Sequence, residues 1–221
     1  MQIRQTAIGF NFIDVYQRSG KYPLELPTGL GHEAVGVVQA LGEGVTGLKI
    51  GDRVMYINAG VGAYASARNV AADKLIPVPN NISDEVAAAV FFKAMTAQYL
   101  VQKTYKVKAG DVVLVHAAAG GVGQILAGWA KALGAFVVGT VGSQVKVAAA
   151  KAAGCDVVVD YSQPNWVEEV IKATGGKKAN VVYDSVAKDT FLGSLECAAP
   201  FGTVALFGAA SGPAPEIQPE I

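Results

Sequence analysis

The sequence GDVVLVHAAAGGVG at positions 110–123 decides how this chain folds. A continuous apolar run leads directly into closely spaced glycines, and a helical pattern follows them as far as Leu133. This is an A-x-G-x-x-G form of the dinucleotide-binding fingerprint, with Ala118 at the position of the first glycine. Gly120 would let the backbone approach a pyrophosphate, Gly123 would let the helix pack closely on the strand, and the helix N-terminus would bind the phosphates. The alternative is that this is a glycine-rich turn that has a packing role and binds no nucleotide.

Strands and helices alternate strictly along this part of the chain. The strands are apolar throughout, which is typical of a parallel sheet covered by helices on both faces. The pattern predicts strands at 112–118, 136–141, 157–161, 180–185 and 203–207, and helices at 121–133, 144–153, 165–174 and 189–197. The expected fold is α/β with a doubly wound Rossmann domain. These are fewer strands than that domain normally has, so the last strand is expected to be missing.

The segment before residue 80 has a different texture. Short β-branched runs alternate there with Gly, Pro and Asn, and they predict strands at 34–38, 53–57 and 63–67. Ser83 is a suitable N-cap for a helix that continues to about Lys103. The chain is therefore predicted to hold a β domain over residues 1–95 and a nucleotide-binding domain over residues 96–221.

Composition excludes several classes of protein. Acidic and basic residues number 18 each and 52% of the residues are hydrophobic, so neither a disordered chain nor a charge-driven interaction with nucleic acid or an anionic membrane is predicted. The two cysteines, Cys155 and Cys197, form no CxxC pair, which suits a reducing compartment. The N-terminus lacks the apolar region of a signal peptide, and the apolar runs are shorter than a membrane span. We expect a soluble, cytoplasmic protein.

The end of the second Rossmann strand distinguishes NAD from NADP. An NAD site needs an acidic residue there for the ribose 2′-hydroxyl, but no acid occurs between Asp111 and Asp156, and Gly142 occupies the expected position. Lys146 suits a 2′-phosphate, and Tyr161 is expected to form a wall beside it. The alternative is that Lys146 is only an exposed helix lysine. The missing acid favours NADPH.

Several short motifs carry a resemblance to a known family. They are AIGFNFID at 7–14, RSGKYP at 18–23, GHE at 31–33, HAAAGGVG at 116–123, GTVG at 139–142 with Lys146, YDSV at 183–186, and FG at 207–208 with SG at 211–212. On these motifs the chain resembles the zinc-free, zeta-crystallin-like quinone oxidoreductases of the medium-chain dehydrogenase/reductase superfamily. The resemblance implies a GroES-like β domain followed by the Rossmann domain, and NADPH-dependent reduction of small quinones.

The resemblance also bears on the extent and the partners of the chain. Family members extend beyond both ends of this sequence, which implies a chain truncated at both ends. They are homodimers, so a homodimer is expected of the full-length form. A membrane is not an expected partner, and nucleic acid is an unlikely one.

The site residues are likewise implied by the resemblance. The catalytic candidates, all in the first domain, are Asn11, Asp14, Tyr16 and Tyr22. The candidates for NADPH binding are Thr96, Tyr99, Gly120, Gly121, Val122, Gly123, Gly142, Lys146, Tyr161, Val186, Phe207, Gly208, Ser211 and Gly212. Asn11 is expected to hydrogen-bond the acceptor carbonyl or the nicotinamide, and Tyr16 and Tyr22 to stack or to donate a proton. Alternatively, Asp14 and Tyr22 only shape their loop.

Two residues depart from the family's common pattern. Ala187 stands where a glycine often follows the Asp-Ser-Val motif, and Ala209 stands where asparagine is frequent. Both departures concern the expected contacts with the nicotinamide.

Zinc is not expected, although His32 lies in the signature that supplies a zinc ligand in alcohol dehydrogenases. A catalytic zinc needs three protein ligands, Asn11 stands where the zinc-binding branch has a cysteine, and Cys155 lies in the nucleotide-binding domain. His32 and Glu33 are instead expected to make hydrogen bonds that fix the start of a strand. The other histidine, His116, is expected to be a buried core residue.

Three functions stay open on the sequence. A quinone is already electrophilic, so hydride transfer to it needs stacking and orientation rather than a metal, and NADPH-dependent quinone reduction is the leading hypothesis. A second hypothesis is an NADPH-dependent enone or alkenal double-bond reductase, which would share the cofactor site. A third is a non-catalytic nucleotide-binding fragment.

Overall fold

The computed structural model describes residues 1–218 of the chain. They form two compact units, the first from Met1 to Lys93 and the second beginning at Ala94. The division lies within one helix, which also contains the boundary predicted between residues 95 and 96.

The first unit is built on an antiparallel sheet of five strands. In spatial order these are β4-β1-β2-β3-β5, with bounds β1 (Gln2–Gly9), β2 (Glu33–Ala40), β3 (Arg53–Ile57), β4 (Ala67–Asn69) and β5 (Ile76–Pro77). The helix α1 (Phe12–Arg18) follows β1, a 3₁₀ turn (Ala72–Lys74) precedes β5, and α2 (Asp84–Tyr99) follows it.

Pairing of β1 with β2 depends on a close backbone approach. A Cβ at Gly36 would lie 2.7 Å from the Ile3 side chain, so the two strands fit only because position 36 has no side chain. Ile3 is fully buried in the core of this unit together with Val38, Val54 and Tyr56. The same pairing places Gly9 at the end of β1 opposite Glu33 at the start of β2.

The start of α2 is fixed by polar contacts with the sheet. Asp84 pairs with Arg53 at 2.5 Å and accepts a hydrogen bond from Thr6 Oγ1 at 2.6 Å. Ser83 Oγ accepts the N–H of Val86 at 3.2 Å, which confirms Ser83 as the N-cap. No helix within residues 1–218 is long and apolar enough to cross a membrane.

One predicted strand of this unit is wrong. The strands predicted at 34–38 and 53–57 are confirmed, but of 63–67 only Ala67 belongs to a strand, β4. Residues 63–66 bend instead, because the side-chain amide of Gln5 donates to the carbonyls of Ala63 and Ala65. Strand β1 and helix α1 were not predicted at all.

The second unit is a parallel sheet of five strands connected by helices. In spatial order the strands are β10-β9-β6-β7-β8, with bounds β6 (Val112–Val115), β7 (Phe136–Val141), β8 (Val157–Asp160), β9 (Ala179–Asp184) and β10 (Ala198–Leu206). The helices are α3 (Gly121–Ala132), α4 (Val147–Ala152), α5 (Trp166–Ala173) and α6 (Phe191–Cys197). Because this is the order of a doubly wound nucleotide-binding sheet, the predicted fold class is confirmed.

Successive residues of β6 pack on opposite faces of this sheet. Val113 and Val115 lie in one core with Leu126 of α3, whereas Leu114 lies in a second core with Val170 of α5. Burial on both faces is the reason that the strand is apolar throughout rather than alternating.

Element ends differ from the prediction where the backbone turns. The strand predicted to reach residue 118 ends at Val115, because Ala117 adopts a φ of +50°. The helix predicted at 144–153 begins as a 3₁₀ turn, Gln144–Lys146, and the last predicted helix begins at Phe191. Helix α2 continues into a π-helical turn, Leu100–Thr104.

Candidate nucleotide and substrate sites

The fingerprint turn lies between β6 and α3. Gly120 is the N-cap of α3, and its N–H donates to the Ala117 carbonyl at 2.8 Å. A Cβ at Gly123 would lie 2.9 Å from the Cα of Ala118 and closer still to the carbonyl of Ala117. The helix therefore packs on the turn only because position 123 is glycine, which is the reason predicted for it. Gly121 and Val122 form the first turn of the helix, where backbone N–H groups have no intrahelical partner.

A glycine follows β7, the second strand of this sheet, and a tyrosine that follows β8 lies beside it. A Cβ at Gly142 would lie 2.7 Å from the hydroxyl of Tyr161, which follows β8. Burial, followed by the charges of Asp189 and Asp160, raises the pKa of the Tyr161 phenol, so it remains a proton donor. Lys146 is exposed at the end of the neighbouring 3₁₀ turn, and no acid within residues 1–218 pairs with it.

The loops after β9 and β10 lie side by side. The N–H of Ser211 donates to the Val186 carbonyl at 3.0 Å, and Ser211 Oγ donates to the same carbonyl at 2.9 Å. Ala187 and Gly212 form a β-bridge, and a Cβ at Gly208 would lie 2.8 Å from the carbonyl oxygen of Ser185. Four predicted NADPH-binding positions are thereby brought together: Val186, Gly208, Ser211 and Gly212.

Three other predicted positions are placed as follows. The N–H of Phe207 donates to the Asp184 carbonyl at 2.9 Å, at the start of the loop after β10. Thr96 and Tyr99 lie three positions apart on α2, Thr96 half-buried and Tyr99 exposed. The intervening Ala97 and the following Leu100 belong to the core of the second unit.

A buried polar cluster in the first unit is centred on Asn11. Its Nδ2 donates to Glu33 Oε2 at 2.8 Å, and its Oδ1 accepts from Lys93 Nζ at 3.3 Å. The second carboxylate oxygen of Glu33 accepts the N–H of Phe92 at 2.7 Å. A Cβ at Gly9 would lie 2.5 Å from the Ala88 carbonyl and closer still to Glu33 Oε2, so glycine there leaves room for the carboxylate.

This arrangement fixes the orientation of the Asn11 amide. Glu33 is almost completely buried, and burial raises the pKa of its carboxyl, opposed by the hydrogen bonds from Asn11 and Phe92. Because Lys93 can only donate, the Asn11 oxygen faces Lys93 and the nitrogen faces Glu33. Glu33 therefore makes hydrogen bonds that fix the start of β2, as predicted.

Asp14 and a tyrosine absent from the prediction form a second polar group. Asp14 Oδ2 accepts the backbone N–H of Asn11 and the hydroxyl of Tyr64, each at 2.9 Å. Burial and this hydrogen bond to Asp14 raise the pKa of Tyr64 to about 12. A Cβ at Gly31 would lie 2.7 Å from Cε1 of the Tyr64 ring and closer still to its Cδ1. Tyr64 lies in the irregular segment that was predicted to be a strand, so no sequence signal pointed to it.

The other two catalytic candidates are adjacent rings. The centroids of Tyr16 and Tyr22 are 5.1 Å apart, and Phe12 packs edge-on against Tyr16 at 5.2 Å. Lys21 Nζ lies over the Tyr16 ring at 4.6 Å. Tyr16 is thus enclosed by neighbouring side chains, whereas Tyr22 is nearly half exposed.

The donor set for a metal does not fit zinc. No group of three or more His, Cys, Asp or Glu in the described part of the chain could hold a metal ion. His32 Nε2 lies 3.0 Å from Gln17 Oε1. The two cysteines are buried and unpaired, and burial raises the thiol pKa of Cys155 to about 11 and of Cys197 to about 12.

Comparison with known proteins gives consistent matches along the chain. The family model described as alcohol dehydrogenase GroES-like domain matches residues 1–80, and the one described as zinc-binding dehydrogenase matches residues 121–220. Residues 121–220 do not include His32, so the word zinc-binding in the second description identifies no zinc ligand in this chain.

Individual relatives are similar over nearly the whole chain. The quinone oxidoreductase of Salmonella typhimurium is 53% identical over 96% of this chain, which spans 65% of that relative, slightly less than two thirds. The 2-haloacrylate reductase of a Burkholderia species is 46% identical to this chain. The match covers 99% of this chain and 67% of the reductase. The crystal structure of Escherichia coli quinone oxidoreductase complexed with NADPH matches with a TM-score of 0.94 at 49% identity, covering 98% of this chain and 67% of that one.

Proposed function

Because this chain belongs to the quinone oxidoreductase family of the medium-chain dehydrogenase/reductase superfamily, we propose that it binds NADPH and reduces small quinones by direct hydride transfer, without a metal. The observation that carries the proposal is the fingerprint turn, where position 123 has no room for a Cβ, together with the absence of an acid at the end of β7. The solved relative complexed with NADPH supports the choice of cofactor.

The nucleotide-binding role is divided among three parts of the second unit. The N-terminal turn of α3, Gly120 to Gly123, binds the pyrophosphate through backbone N–H groups. Lys146 and the Tyr161 hydroxyl bind the 2′-phosphate, because both present donors and no carboxylate at the end of β7 repels it. Thr96, Tyr99, Val186, Phe207, Gly208, Ser211 and Gly212 line the rest of the cofactor.

NADPH, when bound, supplies the hydride, and the protein supplies orientation and a proton. Among residues 1–218, Glu33 accepts one hydrogen of the Asn11 side-chain amide. The second hydrogen of that amide is then available to the carbonyl oxygen of the quinone. Tyr22 is the proton donor to the reduced oxygen, because Tyr16 is enclosed by its neighbours. Asp14 holds the Asn11 backbone and the Tyr64 hydroxyl in place.

Fluorescence titration of the chain with NADPH and NADH at matched ionic strength tests the cofactor assignment. We expect a clear preference for NADPH, and Lys146→Met should reduce that preference about tenfold, as for one lost charge contact. Lys151→Met, in the helix α4 that directly follows the turn of Lys146, is the matched control and should leave the preference unchanged. Equal binding of both nucleotides by the wild type would overturn the 2′-phosphate assignment. Binding of neither would show that this chain is not a competent nucleotide-binding module.

Exchange of polarity between Glu33 and Asn11 tests the substrate contact. Asn11→Asp sets two carboxylates against each other, and Glu33→Gln sets two amide donors against each other, so each single variant should lose thermal stability. In the double variant the new amide at position 33 donates to the new carboxylate at position 11, and Lys93 still donates to the other oxygen of that carboxylate, so stability should return. Quinone reduction should not return, because the carboxylate at position 11 has no N–H to donate. Recovery of both properties would contradict the role of the Asn11 amide.

A second candidate reaction is reduction of an activated double bond. It is favoured by the similarity to a 2-haloacrylate reductase at 46% identity. The same hydrogen bond from Asn11 would polarise an enone carbonyl. Rates of NADPH oxidation with a small quinone and with an α,β-unsaturated carbonyl compound, measured side by side, decide between the two. NADPH binding without turnover of either would leave the non-catalytic nucleotide-binding reading.

The remaining proposals concern assembly and location. Family resemblance leads us to propose a homodimer, which sedimentation of the protein would test. Two buried, unpaired cysteines fit the reducing environment of the cytoplasm, which is the location we propose.

A further inference from the structure

A buried carboxylate ends the strand β9. Asp184 is fully buried and accepts hydrogen bonds from the N–H groups of Val186 at 2.9 Å and Ala187 at 3.0 Å. Thr190 Oγ1 lies 2.9 Å from both of its oxygens, and Ser194 Oγ donates to Oδ2 at 2.7 Å. No lysine or arginine in the described chain pairs with it. The charge is therefore held by oriented backbone and hydroxyl donors, which also hold the backbone around it.

The same contacts impose the shape of the loop after β9. Ala187 adopts a φ of +72°, a conformation unfavourable for a residue with a Cβ, and its N–H is one of the two backbone donors to Asp184. The carbonyl of Val186 is taken by Ser211 from the neighbouring loop. Both backbone groups of Val186 are thus fixed, one by Asp184 and one by Ser211.

A chain of buried hydrogen bonds connects this loop to the fingerprint turn. Ser194 Oγ lies 2.9 Å from Nε2 of His116, and Nδ1 of that imidazole lies 2.7 Å from Thr140 Oγ1 on β7. Since the Ser194 hydroxyl donates to Asp184 Oδ2, it accepts from His116 Nε2–H, and Nδ1 accepts from Thr140. His116 immediately precedes the turn that begins α3, so the ends of β6, β7 and β9 are joined by one network.

Resting on the proposed function, we infer that Asp184 is a positioning residue for the nicotinamide half of NADPH. With the pyrophosphate bound at the end of β6 and the 2′-phosphate at the end of β7, the strand order would bring the nicotinamide half to the side of β9 and β10. Asp184 sets the loop that contacts this half. Ser194 and His116 set the distance between this loop and the fingerprint turn, which binds the pyrophosphate.

The test measures binding of two probes, NADPH and adenosine 2′,5′-bisphosphate, which contains only the adenosine half. Asp184→Asn, and the milder Thr190→Val, should weaken NADPH binding about tenfold, the effect of one lost charge-assisted hydrogen bond, and leave the bisphosphate within about twofold. Thr174→Val is the matched control, because Thr174 is also buried but donates locally to the Ile171 carbonyl at 2.8 Å. It should change neither affinity.

The outcomes separate this inference from the function on which it rests. Equal loss of affinity for both probes, or no loss for either, would overturn the positioning role of Asp184. If the wild type bound the bisphosphate but not NADPH, the positioning role of Asp184 would also be overturned, because the loop would then make no favourable contact with the nicotinamide half. Binding of neither probe by the wild type would overturn the nucleotide-binding proposal itself, and the inference with it.

Discussion

The buried imidazole of His116 should make the stability of the second unit depend on pH. Burial lowers the pKa of this side chain from its ordinary 6.5 to about 4, against the opposing charge of Asp184. Between these values the unfolded chain binds a proton and the folded chain does not, so the free energy of unfolding falls as the pH is lowered. The contribution of the neutral imidazole is complete above pH 6.5 and is lost as the pH falls from 6.5 to 4.

The magnitude follows from the two pKa values of His116. One site with pKa 6.5 unfolded and about 4 folded gives a loss of about 2 kcal/mol of unfolding free energy between pH 7 and pH 4.5. Asp156 and Asp160 have lowered pKa values and also lose stabilisation as the pH falls. The contribution of the imidazole is therefore measured as the difference in unfolding free energy between the wild type and a variant that cannot be protonated at position 116.

His116→Gln is that variant, since its amide can still donate to Ser194. Urea unfolding followed by tryptophan fluorescence measures the second unit alone, because both tryptophans, Trp129 and Trp166, lie in it. At pH 7 the variant should be less stable by about 1–3 kcal/mol, having lost one hydrogen bond and the ring contact with Trp166 at 5.4 Å. The difference should narrow by about 2 kcal/mol at pH 4.5. Parallel pH profiles would refute the assignment of a neutral imidazole.

Three substitutions test backbone conformation and space. Phe201→Asn should raise the free energy of unfolding by about 0.5–1 kcal/mol in thermal denaturation, because Phe201 is fully exposed at a φ of +62°, which Asn tolerates better; an unchanged midpoint would contradict this. Gly123→Ala should abolish NADPH binding in a titration, because its Cβ meets the backbone of Ala118, which cannot move aside; retained affinity would show that the turn can adapt. Gly142→Ala should lose only part of its thermal stability, because its Cβ meets the end of a side chain, the Tyr161 hydroxyl, rather than backbone. Adding Tyr161→Phe should recover some of that loss; a loss that Tyr161→Phe leaves unchanged would place the clash elsewhere.

The sheet of the second unit was predictable because its determinants are local. A strand buried on both faces is apolar at most positions, and each such run in this unit is separated from the next by a helical segment. The ends of the elements were less predictable. Val115 and Ala118 belong to the same predicted strand, but the strand stops at Val115 because Ala117 adopts a positive φ. An alanine at positive φ leaves no mark in a hydrophobic pattern.

The first unit was less predictable because side chains distant in sequence compete for its backbone. Residues 63–66 were predicted as part of a strand, yet the carbonyls of Ala63 and Ala65 accept from the side chain of Gln5, which is separated from Ala63 by 58 positions. The same limit applies to the polar clusters. Asn11 and Glu33 are 22 positions apart, and His116 and Ser194 are 78 apart. Resemblance named Asn11 as a site residue, but no spacing rule pairs it with Glu33.

The alanine at the first fingerprint position shows how a local motif depends on its neighbours. Ala118 is fully buried, and its N–H donates to the Thr140 carbonyl of β7 at 2.9 Å. A Cβ at Gly139, the adjacent residue of β7, would lie 2.8 Å from the Cβ of Ala118. The same Cβ would lie 2.5 Å from Sγ of Cys155, so position 139 has no room for a side chain beside Ala118 and Cys155. The alanine at the first fingerprint position is therefore accommodated by a glycine on the neighbouring strand, so the fit of this turn depends on position 139 as well as on the motif itself.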